Sequence, residues 1–266
     1  MKRSLFLVFL LLTFITNGYA ITVKNPVDYV STLVGSASKS ELSTGNTYPA
    51  IALPWGMNFW TPQTGKMGDG WTYTYGADKI RGLKQTHQPS PWINDYGQFS
   101  IMPVVGKKVF DEEGRASWFS HKAETATPYY YKVYLADYDV TAEISPTSRA
   151  AAMRFTYPQT DEAYLVVDAF DKGSSVTIMS DKRTIVGYTT KNSGGVPANF
   201  KNYFVLRFDH EFSFVGSIED GKLSEGKTSA TSNHTMAVVG FRTKRGEQVN
   251  VQVASSFISD EQALRN

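Results

Sequence analysis

The sequence predicts an all-β fold, a large sandwich of extended sheets packed face to face, and three observations predict it. From Gly97 onward, short segments rich in β-branched and aromatic residues recur, each bounded by Gly, Asp, Ser or Pro. Several alternate in period two, as Val249, Val251 and Val253 do against Asn250 and Gln252. No repeat of solenoid or propeller kind runs through the chain, and so many closely spaced strands call for two packed sheets.

Taken in order, the N-terminus comes first. Lys2 and Arg3 precede an apolar run over 5–15, and Gly18-Tyr19-Ala20 ends it with small residues. This predicts a secretory signal over 1–20, and hence export to a periplasmic or extracellular location. The run is about half the ~20 residues that a membrane span requires, so no membrane attachment is expected after cleavage. Asn25-Pro26 is a helix start signal, and Gly35 is the expected stop of one short helix. The predicted strands are 99–105, 129–135, 140–144, 153–157, 164–168, 176–179, 184–190, 203–208, 212–217, 236–241 and 249–254. At the end, Ser259-Asp260-Glu261-Gln262 reads as a capping box that opens a helix with Ala263 and Leu264. Such a start signal without a helix body predicts that the polypeptide continues into a linker helix. The predicted organisation is therefore a signal at 1–20, a β-sandwich over 21–258, and the first turns of a linker helix over 259–266.

Bulk composition narrows the partners. A net charge of +2 spread over 266 residues gives no basic face for nucleic acid. The absence of cysteine leaves an exported chain without disulfides or thiolate metal sites, so the core alone must hold the fold. Asn233-His234-Thr235 is a glycosylation sequon, meaningful only in a host that glycosylates exported proteins.

The stretch 44–97 stands apart. It holds Trp55, Trp60, Trp71 and Trp92, four of the five tryptophans, and a polar set of Gln85, Thr86, His87, Gln88, Asn94 and Asp95. With no sustained strand or helix period, it reads as a loop surface of aromatic plates and hydrogen-bonding tips, the chemistry of a sugar site. Trp71 follows the turn signal Asp69-Gly70 and is placed to stack on a pyranose. His87 and Gln88 offer an imidazole and an amide side by side, Trp92 lies between Pro91 and Ile93, and Asn94 and Asp95 extend the same polar wall. The candidate substrate-binding residues are thus Trp71, His87, Gln88, Trp92, Asn94 and Asp95. Trp55 and Trp60, among apolar neighbours, are expected in the core. The acidic run Asp111-Glu112-Glu113 is expected to be plainly solvated. No carboxylate spacing amounts to a metal site or to the acid pair that inverting hydrolysis requires, so no catalytic residue is assigned.

The ordered segments Thr44-Gly45-Asn46-Thr47-Tyr48-Pro49, Pro54-Trp55-Gly56-Met57, Gly70-Trp71-Thr72-Tyr73, Ile80-Arg81-Gly82-Leu83, Thr86-His87 and Asp95-Tyr96-Gly97 resemble the N-terminal domain of glycoside hydrolase family 92. The closing run Ala254 to Ser259 is similar to the passage from that domain into a helical linker. The resemblance implies a galactose-mutarotase-like supersandwich, joined in full-length relatives to an (α/α)6 barrel. It also implies exo-acting, calcium-dependent, inverting α-mannosidase activity, with acid, base and calcium ligands in the barrel, so that this chain itself carries no cofactor. The expected partners are α-mannoside glycans with a terminal mannose, and a helical catalytic domain. One departure matters: where many members read Ser-His-Thr-His-Leu-Ser-Gly, this chain has Lys84-Gln85-Thr86-His87-Gln88-Pro89-Ser90, so linkage preference does not transfer.

The leading expectation is a carbohydrate-binding first domain of an exported α-mannosidase, a fragment inactive alone that forms one wall of the mannose pocket. The alternative is a free-standing mannose-binding or lectin-like module. A mutarotase-type epimerase would require His87 and Asp95 as its acid–base pair.

Overall fold

The computed structural model describes residues 25–37, 47–67, 72–87 and 96–266. The predicted signal at 1–20 lies outside the described residues. Residues 1–30 and 31–266 form separate units. In the first, Pro26–Tyr29 is one 3-10 turn, shorter than the helix predicted up to Gly35. None of its residues is buried, and a single turn without a buried face does not propagate. The Asn25 N–H donates to the Asp28 carboxylate at 3.1 Å, which closes the turn.

The second unit holds eighteen strands among its described residues. In chain order the first are β1 (Phe59–Gln63), β2 (Lys79–Ile80), β3 (Gly82–Thr86), β4 (Phe99–Val105), β5 (Ser117–Trp118) and β6 (Glu124–Thr127). There follow β7 (Tyr130–Leu135), β8 (Val140–Pro146), β9 (Ala150–Tyr157), β10 (Thr160–Asp168), β11 (Ser174–Ile178) and β12 (Thr184–Thr189). The last are β13 (Asn202–Phe208), β14 (Phe214–Glu219), β15 (Lys222–Glu225), β16 (Ser229–Ser232), β17 (Thr235–Thr243) and β18 (Glu247–Ser256). A helix α1 (Asp260–Arg265) ends the chain.

They build the large all-β sandwich that the sequence predicts. A seven-stranded sheet runs β1-β3-β4-β10-β17-β14-β15, and a nine-stranded sheet runs β16-β11-β12-β13-β18-β9-β8-β7-β6. Neighbours pair antiparallel. Aromatic pairs join the layers: Phe99 of β4 stacks on Phe204 of β13 at 4.6 Å, and Phe241 of β17 meets Phe208 of β13 at 6.0 Å. Strands of the nine-stranded sheet alternate buried and exposed residues, as β9 does, because one face meets the core and the other water. In β17 nearly every residue is buried, and in β10 all from Ala163 to Asp168 are, where Phe110 packs on Tyr164 at 5.7 Å and Arg115 reaches Asp168 at 2.7 Å from the other face of the seven-stranded sheet.

Several expectations for 44–97 need correction. The stretch is not all loop, because β1 and β3 lie in it, paired with each other and, through β3, with β4. Trp60 is fully buried against Phe99 at 5.9 Å, as expected of a core tryptophan. Trp55 is the opposite, fully exposed on a turn with φ 63°. In the acidic run Asp111 and Glu113 are exposed as expected, Glu113 lying 3.2 Å from both Lys66 and Arg81, whereas Glu112 is half-buried and accepts from Gln63 Nε2 at 2.7 Å and from the Met67 N–H at 2.9 Å. At the C-terminus only half the capping box forms. Ser259 Oγ accepts from the Gln262 N–H at 3.2 Å, while the Gln262 amide turns to Asn266 instead. No helix among the described residues is long and apolar enough to cross a membrane.

Candidate functional site

The site is built at the end of the sandwich where β3 stops and β4 begins. Strand β3 is buried throughout although its sequence, Gly-Leu-Lys-Gln-Thr, is mostly polar. Its polar side chains are matched inside. Gln85 Nε2 donates to Ser255 Oγ at 2.7 Å, and Ser255 Oγ donates to Asn58 Oδ1 at 3.3 Å. Asn202 Nδ2 donates to the Gly97 carbonyl at 2.6 Å. Buried amide bonds of this kind contribute modestly when made and cost ~1–3 kcal/mol when broken, so they fix the end of β3 against β13 and β18.

His87 follows directly. Its Nδ1 lies 2.6 Å from the Tyr96 carbonyl, and its ring meets Phe257, just beyond β18, with centroids 4.8 Å apart. Phe257 in turn packs on Phe200 at 5.6 Å, and Phe200 on Tyr96 at 6.3 Å. Phe257 is 40% exposed, so this collar of four rings presents an open aromatic surface. Gln88, Trp92, Asn94 and Asp95 lie outside the described residues, as does Trp71, and the proposed His87–Asp95 pair goes with them.

The roots of the two segments that carry these residues are nevertheless joined. Met67 Sδ accepts from the Asp171 N–H, the Asp171 carboxylate pairs with Lys191, and the Lys191 carbonyl accepts from the Gly97 N–H at 2.6 Å. Met67 and Gly97 are therefore linked through Asp171 and Lys191. The link passes through a strained turn. Phe170, fully buried, has φ 60°, and Lys172 has φ 73°. Such backbone costs ~1–3 kcal/mol per residue and persists only where its surroundings over-determine it. Here Asp168 accepts from the Phe170 N–H at 3.0 Å, Ser174 Oγ donates to the Phe170 carbonyl at 2.9 Å, and Lys84 Nζ lies 5.4 Å from the Phe170 ring centre.

Asp168 is the electrostatic anchor of this end. Burial opposes its charge, but the Arg115 guanidinium at 2.7 Å and the His234 ring at 2.7 Å overcome that and hold its carboxyl down at about 2. For His234, burial favours the neutral ring, and the Asp168 carboxylate outweighs it and raises the imidazole above its ordinary value. Asp168, Asp171 and Glu112 thus each hold a structural partner. The sequence resemblance puts the calcium ligands in the barrel, and among the described residues no group of three or more His, Asp or Glu side chains is arranged to hold a metal ion. Phe200, Phe257, Asp171 and Lys191 had no mark in the sequence, since only folding brings them to His87 and Gly97.

Comparison with known proteins agrees with this architecture. The glycosyl hydrolase family 92 N-terminal domain matches residues 29–256. A family 92 inverting mannosidase of Bacteroides thetaiotaomicron VPI-5482 is 47% identical, with a TM-score of 0.87 over 91% of this chain and 33% of that one. A family 92 α-mannosidase of Bacteroides thetaiotaomicron, solved in complex with mannoimidazole, is 30% identical, with a TM-score of 0.79 over 90% of this chain and 33% of that one. A further family 92 glycosyl hydrolase, at 22% identity and a TM-score of 0.71, shares the fold. The comparison with curated proteins finds no match. The chain spans about one third of the length of these solved structures. It belongs to glycosyl hydrolase family 92, as the N-terminal domain of that family.

Proposed function

We propose that this domain forms one wall of the mannose pocket in an exported family 92 α-mannosidase, binding the terminal sugar while a helical domain supplies acid, base and calcium. The observation that carries the reading is the convergence at one end of the sandwich: His87 and the collar of Tyr96, Phe200 and Phe257, with the roots of the Trp71 and Trp92 segments tied together through Asp171 and Lys191. The related α-mannosidase solved with mannoimidazole supports a mannose-like ligand for the family. In this reading Trp71 stacks on the sugar, His87, Gln88 and Asn94 address its hydroxyls, and Asp95 and Trp92 shape the rim. A sugar held on one face leaves much of its surface in water, so the domain alone binds weakly.

The reading is tested by assaying mannose release from α-mannosides. The chain alone, with calcium, is expected to give none, and a family 92 helical domain added in trans is expected to restore release. Turnover by the chain alone would refute the division of labour.

A further inference from the structure

A hollow of about 560 Å³ lies on the outer face of the nine-stranded sheet, away from the loop end. Along β18 it is centred near Gln252, about 17 Å from Phe257 at the strand's rise per residue. Strand register explains its shape. Ser145 of β8 faces Ala152 of β9, Ala152 faces Gln252 of β18, and Gln252 faces Arg207 of β13, so one row crosses four strands with its smallest side chain in the middle. The next row, Glu143, Arg154 and Asn250, is taller and forms the wall.

The two rows differ in how far their hydrogen-bonding capacity is used. In the wall it is largely spent: Tyr130 Oη donates to Glu143 at 2.5 Å, Arg154 Nε donates to Asn250 Oδ1 at 3.1 Å, and Asn250 Nδ2 donates to Asp209 at 2.6 Å. In the floor row, the Arg207 guanidinium and the Gln252 amide have no side-chain hydrogen bond among the described residues, and both are exposed and line the hollow. Between them they present several donors and an acceptor from a fixed sheet. The charges of the lining balance, Glu143 and Asp209 against Arg154 and Arg207, which disfavours a phosphate or carboxylate ligand and suits a neutral one.

Two aromatic residues stand at the β7–β8 end. Tyr130 lines the hollow. Trp55 sits on a turn tied beside it, where the Met57 N–H donates to the Ser148 carbonyl at 2.7 Å and the Ala52 N–H to the Pro128 carbonyl at 2.9 Å. A tryptophan that is fully exposed in the left-handed region bears backbone strain and gains nothing from packing among the described residues.

We propose that this hollow is a second carbohydrate site, which takes a neutral oligosaccharide lying across the strands. Arg207 and Gln252 read ring hydroxyls, and Tyr130 and Trp55 offer stacking faces at one end. Crossing from β7 to β13 spans about 19 Å at the ordinary strand spacing, room for more than one sugar ring. The inference does not depend on the role given to the loop end.

The test is calorimetry and NMR titration of the full chain with α-mannotetraose and, separately, maltotetraose. At least one is expected to bind saturably and to shift resonances of Gln252 and Arg207. Arg207→Ala and Gln252→Ala are each expected to weaken that binding about tenfold. Ala152→Trp, an exposed position that fills the hollow, is expected to abolish it. Failure of both tetraoses to bind at millimolar concentration would overturn the proposal. So would saturable shifts of the Gln252 resonances that survive Arg207→Ala and Ala152→Trp, or saturable binding that shifts only residues around His87 and Phe257.

Discussion

The rings of His87 and Phe257 meet at 4.8 Å although one follows a strand of the seven-stranded sheet and the other a strand of the nine-stranded sheet. Their contact closes the sandwich at the end where the proposed sugar wall lies. Because Phe257 is partly exposed and also supports Phe200, Phe257→Ala is expected to cost only about 1 kcal/mol of stability. The same change should shift the His87 ring resonances and weaken binding of an α-mannoside. A chemical-shift map and a urea titration check both.

Gly97 holds a position that only glycine fits. Its φ is +66°, and an added Cβ would stand 2.4 Å from the Asn202 Cβ. The clash falls on the residue whose amide holds the Gly97 carbonyl. Gly97→Ala is expected to destabilise the fold by about 2 kcal/mol or more, from strain and a displaced buried amide. Equilibrium urea unfolding measures it, and an unchanged midpoint would contradict the geometry.

The two tryptophans of opposite burial make a paired prediction. Trp60→Ala removes a fully buried side chain and is expected to cost about 3–5 kcal/mol. Trp55→Gly removes an exposed ring from a left-handed position and is expected to leave stability unchanged or raised by up to about 1 kcal/mol. Thermal melts of the two variants should therefore move in different directions or by very different amounts.

Stability should depend on pH at both ends of the range. Asp168 titrates near 2 in the fold, below its unfolded value, so its contribution is complete above the unfolded value of ~3.9 and is lost as pH falls toward 2. His234 and His210 are both raised by carboxylate partners, so their contributions are present below the ordinary ~6.5 and are lost as pH rises through their folded values. Urea midpoints across pH should fall on both flanks, and His234→Gln with His210→Gln should flatten the alkaline one. Arg115→Met, which leaves Asp168 buried and charged, is expected to cost about 3–5 kcal/mol near neutral pH.

Much of the fold was legible because the core strands announce themselves. Each predicted segment from 99–105 to 249–254 falls on a strand, and β10 and β17 were recognisable by β-branched content even without alternation. Strands β1 and β3 were not. One contains Pro62, the other is Gly-Leu-Lys-Gln-Thr, and both take their burial from partners distant in sequence, such as Ser255 for Gln85. The candidate site was legible only as a location. His87 falls in an aromatic collar, but Phe200 and Phe257 are ordinary apolar residues in sequence, and nothing local marks Asp171 and Lys191 as the tie between two loop roots. Trp55 misled because apolar neighbours such as Leu53 and Pro54 suggest a core, whereas the turn carries the indole outward.

The central claim is that the end of the sandwich around His87 contacts mannose. The most direct measurement is the affinity of the chain for methyl α-mannoside, beside His87→Ala and Trp71→Ala, with unfolding midpoints recorded for all three. The account predicts weak, saturable binding that drops about tenfold or more in each variant while stability changes by less than about 1 kcal/mol. Equal affinity in the chain and both variants would contradict it.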